Sequence, residues 1–188
     1  VRHSQGVEHE LQLLDDKFFT SPELALSSSD EAIATMARLA CARADSAMGT
    51  LGAYDRAVIE TVQENEQSID MLADAVNNYL VRLSGHMEAD DNSVLLNYYL
   101  QCFSEFERIG DYAVNLTESA EELHARGAQF STTARQELAV LQDALHEITG
   151  YAADAFTTRQ AHVARHIEPV EEVIDDLVET LRARHTRR

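Results

Sequence analysis

Hydrophobic residues recur along this chain every three to four positions, and no segment alternates cleanly between apolar and polar. Ser29-Asp30-Glu31 has the polar cap and first-turn acids of a helix start. After it, Ile33, Met36, Ala37, Ala40, Cys41, Ala44, Ala47 and Met48 share one face, and Gly49 and Gly52 suggest the end. A second helix is predicted from about Tyr54 to Ser84, its stripe running from Val58 and Ile59 through Ile69, Leu72 and Val76 to Leu83, with Gly85 as its stop. His86–Asp91 reads as a turn, capped by Asp91 or Asn92. A third helix runs from Ser93 to about Arg126 and ends at Gly127. A fourth is capped by Ser131 or Thr132 and reaches about Phe156, followed by a short helical connector over Thr157–His166. Glu168-Pro169 opens a fifth, with proline in the first turn where its missing donor costs nothing. That helix carries Val170, Ile174, Leu177, Val178 and Leu181 and closes on Arg182, Arg184, His185, Arg187 and Arg188, which suits a helix C-terminus. Residues 1–27 are a mixed arm with a short helical piece around Leu11–Phe18. The expected class is all-α.

The pattern repeats. Glu171-Glu-Val-Ile-Asp175-Asp-Leu177 matches Glu66-Gln-Ser-Ile-Asp70-Met-Leu72 at a displacement that also carries the first long helix onto the fourth. The chain therefore divides into the arm (1–27), a three-helix bundle (28–130) and the first two helices of a second bundle (131–188). The third helix of that second bundle falls past the end of the sequence, so its two helices are expected to keep an uncovered apolar stripe. Dimerisation or an exchange of helices between copies is the expected cover.

Composition narrows what such a bundle does. Thirty-three acidic residues against 15 basic ones give a net charge of −18, which excludes a nucleic-acid backbone as partner. There is no signal peptide and no apolar run of membrane-spanning length. The sequence starts at Val1 rather than Met, which fits a fragment of a longer, membrane-attached protein. Cys41 and Cys102 lie far apart inside helical patterns and read as buried thiols of a reducing cytoplasm.

The candidate chemistry lies in carboxylates. Glu66-Gln-Ser-Ile-Asp70 and Glu107-Arg-Ile-Gly-Asp111 each place two acids one turn apart on one helix face. In an antiparallel hairpin turning near residues 88–89, Glu66 lies level with Asp111 and Asp70 with Glu107, so four carboxylates converge on one patch. Such a patch either binds cations or retains protons. Oxygen ligands without thiolate favour Mg, Ca, Mn or Fe over Zn. Gly110 is costly in mid-helix and fits a close approach by another backbone or an ion cluster. Asn115, one turn beyond Asp111, is a further ligand or an exposed amide. Glu121-Glu-Leu-His124, with Asp143-Ala-Leu-His146 as a loose second copy, is a weaker match to the carboxylate-bridged di-iron pattern. His162 and His166 have clip spacing but read as exposed. No GxSxG, P-loop or GxGxxG occurs, so the chain is not expected to be an enzyme.

Phe106-Glu-Arg-Ile-Gly-Asp-Tyr-Ala-Val-Asn-Leu116 closely resembles the ERIGDxAxNI signature of the PhoU family of phosphate-regulation proteins, and Glu66–Leu72 and Glu171–Leu177 resemble that family's other acidic motif. The resemblance covers about residues 28–186. It implies tandem three-helix bundles whose ExxxD pairs hold multinuclear clusters of iron or zinc. Metal roles then fall on Glu66, Asp70, Glu107, Asp111, Glu171 and Asp175. Tyr112 stands where the family often has His, which removes one ligand. Leu13-Leu-Asp-Asp-Lys-Phe-Phe-Thr-Ser-Pro-Glu-Leu-Ala-Leu26 is similar to the segment that joins the membrane part of bacterial sodium/phosphate cotransporters to a C-terminal PhoU-like domain. The implied function is a cytoplasmic, metal-binding regulatory domain at the inner face of the membrane, partnered with the transporter domain and forming a homo-oligomer. The alternatives are a free-standing adaptor between a phosphate ABC transporter and its sensor kinase and, less favoured, a carboxylate-bridged metalloenzyme.

Overall fold

The structure, a computed structural model, describes residues 7–87 and 91–186. All regular elements among them are helical. They are α1 (Glu8–Leu13), a 3-10 turn (Asp16–Thr20), α2 (Pro22–Gly52), α3 (Arg56–Ser84), α4 (Asp91–Ala125), α5 (Thr132–Thr158), α6 (Ala161–Ala164) and α7 (Ile167–Thr186). The expected hairpin tip at 88–89, the start of the arm and the last two arginines lie outside the described residues. Among the described residues no helix is long and apolar enough to cross a membrane.

Most boundaries follow local chemistry. Asp55 begins α3 by accepting from the backbone N–H groups of Ala57 and Val58 at 2.9 and 3.3 Å. Gly127 ends α4 with φ +63°, a left-handed conformation that glycine adopts at no steric cost. The Ala128 N–H then reaches back to the Leu123 carbonyl at 3.0 Å. Of the two cap candidates for α5 it is Ser131 whose side chain accepts, from the Ala134 N–H at 3.2 Å.

The start of α2 differs from expectation. The helix begins at Pro22, seven residues before the predicted cap, with the Ser21 carbonyl accepting from Leu24 and Ala25. Proline in the first position sets the backbone for it. The serines that looked like caps sit inside the helix: the Ser28 and Ser29 hydroxyls donate to the Leu24 and Ala25 carbonyls at 3.1 and 3.0 Å.

Two compact units share the long helices. The first comprises the chain up to Ala40 with Gln63–Tyr112, and the second comprises Cys41–Val62 with the chain from Ala113 onward. The core of the first unit buries Leu26, Ile33, Met36, Ile69, Leu72, Val76, Leu80 and Leu83 almost completely. The described part of the arm packs here too. Val7 is buried, the Tyr79 hydroxyl donates to the Asp15 carbonyl at 3.1 Å, Arg82 pairs with Asp16, and the Phe19 ring lies 4.9 Å from that of Tyr79. Burial pushes the Tyr79 phenol up to about 12, so it stays a donor.

The second unit has a tight nucleus of Ala47, Val62 and Ala113 flanked by Ala44, Val58 and Leu116. Its α5–α7 hairpin is looser. Only Ala153 and Phe156 of α5 are buried, and no residue of α7 is. Arg184 pairs with Glu137 at 3.1 Å to tie the two helices.

Candidate metal centre

The acidic patch forms on α3 and α4 within the first unit. Periodicity puts Asp70 and Asp74 one turn apart on α3, and Glu107 and Asp111 one turn apart on α4. The two helices meet in nearly the expected register: a Cβ added at Gly110 would lie 3.2 Å from the Ile69 Cδ1. That contact explains the mid-helix glycine. The protein atoms that come closest to it belong to an isoleucine side chain rather than to another backbone.

Glu107 is the electrostatic centre. Partial burial holds its carboxyl above the usual carboxylate range, and the charges of Asp111, Asp70 and Asp74 push it the same way. The structure thus brings Asp70 and Asp111 close enough to act on Glu107. It adds Asp74, which the sequence reading passed over because it lies outside the ExxxD pair; its signal was only that it continues the Asp70 face by one turn. Asp70, Asp74 and Asp111 are exposed, while Glu107 and Glu66 are half-buried. Glu66 lies one turn before Asp70. Neighbouring Arg108 turns away, to the Glu105 carboxylate at 3.0 Å and the Tyr112 hydroxyl at 3.5 Å.

Glu171 and Asp175 stand one turn apart and exposed on α7, in the second unit. Among the described residues, no three His, Cys, Asp or Glu side chains are arranged to hold one ion. The donor chemistry of the α3–α4 patch nevertheless suits a hard cation, because its oxygens are carboxylates, most are exposed, and they repel one another at Glu107.

This repulsion is directly testable in chelator-treated protein. A Glu whose folded-state pKa is raised opposes folding once it ionises, so its unfavourable contribution grows as pH rises above the ordinary value of 4.5. Glu107→Gln is therefore expected to raise the melting temperature near pH 7, with the gain fading as pH falls toward that value. A lower melting temperature near neutrality would show that Glu107 is held by favourable contacts instead.

The other candidates are engaged elsewhere. His124 stacks on Tyr54 with ring centroids 3.8 Å apart, and His146 lies 3.3 Å from Asp45. Neither joins a carboxylate-bridged pair among the described residues. His166 stacks on Tyr151 at 5.2 Å, and His162 and Asn115 are exposed. Cys41 is buried, which lifts its thiol to about 11 and leaves it unreactive; Cys102 is a half-buried free thiol.

A family model described as the PhoU domain matches residues 33–120, a stretch that includes Glu66, Asp70, Glu107 and Asp111. No curated protein and no solved structure matches the chain.

Proposed function

We propose that this chain is the regulatory domain of a sodium-dependent inorganic phosphate transporter, acting at the cytoplasmic face of the membrane. The observation that carries this reading is the match of the PhoU-domain family model to residues 33–120, whose ERIGD segment lies on α4 with Gly110 against Ile69 of α3. The arm supports the transporter-linked form, since its Leu13–Leu26 sequence is similar to the segment joining a cotransporter's membrane part to such a domain. The free-standing adaptor remains the second reading. The gene upstream of Val1 separates the two: long apolar spans favour the first, and an immediate Met start the second.

Metal binding is part of the proposal. Glu66, Asp70, Glu107 and Asp111 would hold the ion on α3 and α4, with Asp74 beside them, and Glu171 and Asp175 would serve a second site. By ligand type Mg, Mn, Ca or Fe fits best; the family resemblance favours iron or zinc. A bound cation supplies the positive charge that lets neighbouring carboxylates ionise together. Held by these carboxylates, the cation would relieve the repulsion at Glu107 and tie α3 to α4. That rigid pair is the surface presented to the transporter. The role is binding and regulation rather than bond-making.

The test is phosphate uptake by cells lacking the gene. Re-expressed wild-type protein is expected to restore the dependence of uptake on external phosphate, and the Asp70→Asn/Asp111→Asn double variant, expressed to the same level, is not. Uptake that responds normally without the gene would end the regulatory reading. Full rescue by the double variant would remove the metal from it.

A further inference from the structure

The second unit holds a cavity of about 410 Å³ that none of the carboxylates described above lines. Its volume falls in the range of about 300–1,000 Å³ typical of small-molecule sites. It forms where the end of α2, the link to α3, the last turns of α4 and the start of α5 come together. Ala120, Leu123 and Phe130 give it an apolar side. Tyr54 and His124 give it an aromatic one, their rings 3.8 Å apart and within 4° of parallel. Arg135, at the start of α5, lines it too.

The charge of this lining runs against that of the chain. Acids outnumber bases 33 to 15 in the sequence, yet no residue around the cavity is acidic. Among the described residues the Arg135 guanidinium has no ion pair and no hydrogen bond. Acids on the flanking segments are engaged elsewhere: Asp55 caps α3, Glu60 pairs with Arg56 and Glu122 with Arg126, while the charge of Glu121 acts on Arg56. The carbonyls at the end of α4, which would repel an anion, are taken as well. That of Leu123 accepts from the Ala128 N–H and that of His124 from the Gly127 N–H, both at 3.0 Å. In the same loop the N–H groups of Gln129 and Phe130 donate to no acceptor among the described residues.

We infer that this cavity binds a nucleoside monophosphate, with its base against the Tyr54–His124 pair and its phosphate on Arg135 and the loop N–H groups. A guanidinium matches the oxygens of a phosphate two at a time. Tyr54 is 37% exposed, which leaves ring surface for a base to cover. A bare inorganic anion would leave the aromatic and apolar sides in water, and a neutral ring would leave the cation unanswered. None of these residues belongs to the metal centre proposed above, so the two readings stand or fall separately.

Calorimetric titration of the full chain with AMP, GMP, CMP and UMP tests this. At least one of the four is expected to bind in the micromolar range, and its nucleoside and inorganic phosphate each at least about tenfold more weakly. Arg135→Ala should weaken that nucleotide about tenfold or more, and Arg135→Lys less, since it keeps the charge but loses the fork. Because Arg135 is exposed, both variants should melt with the wild type. Tyr54→Ala should weaken the nucleotide about threefold to tenfold and leave inorganic phosphate unaffected. No binding by any of the four at millimolar concentration, a nucleoside that binds as tightly as its nucleotide, or an Arg135→Ala chain that binds like wild type would each overturn the inference.

Discussion

Truncating Leu72 to Ala is expected to destabilise this protein by about 2–5 kcal/mol, enough to consume much of the 5–15 kcal/mol typical of a domain. Leu72 is 0% exposed in the middle of α3, so its removal leaves a cavity as well as losing the transfer of its side chain from water. Its repeat counterpart Leu177 is half-buried on α7. Leu177→Ala, measured at a dilution where the chain is monomeric, should cost roughly half as much or less, since part of that side chain is in water already. Urea unfolding followed by circular dichroism reads both. Equal losses would mean that the two repeats are equally well sealed, against the burial seen on α3 and α7.

Adding a divalent cation to chelated protein is the second large expected effect. At about one hundred times its dissociation constant a ligand that binds only the folded state stabilises by about 2.7 kcal/mol. For a chain of this size that raises the melting temperature by roughly 5–10 °C. Mg, Ca, Mn, Fe(II) and Zn should be compared one at a time. In Asp70→Asn/Asp111→Asn protein the shift should disappear. If no cation shifts the melting point, or the double variant shifts as far as wild type, the α3–α4 carboxylates are a solvated face. The Glu107→Gln result in chelator separates these outcomes from a simple charge effect. It reports the repulsion at Glu107, with its contribution from partial burial, independently of whether any ion relieves it.

Particular residues show why some of this could be read in advance. The helical period of Ile69, Leu72, Val76 and Leu83 is a property of one segment, because each backbone hydrogen bond spans only four residues. So α3 to α5 and α7 appear close to where periodicity puts them, and Gly127 and Ser131 punctuate them as their chemistry requires. The serine run was misread for the same local reason. A serine that caps and a serine that bonds back to the carbonyl four residues earlier look alike until Pro22 and the buried faces of Ala25 and Leu26 show which applies.

By itself, the sequence determined an all-helical chain, the repeat that links α3 to α7, and three ExxxD faces one turn long. The structure decided what distant neighbours decide. Ile69 explains Gly110, Tyr79 and Arg82 hold the arm, Asp74 joins the field at Glu107, and α7 goes without the seal that α3 has. The physical reason is range. Backbone hydrogen bonding and side-chain periodicity act within a turn or two. Burial, and the repulsion between carboxylates on different helices, depend on which segments the fold brings together.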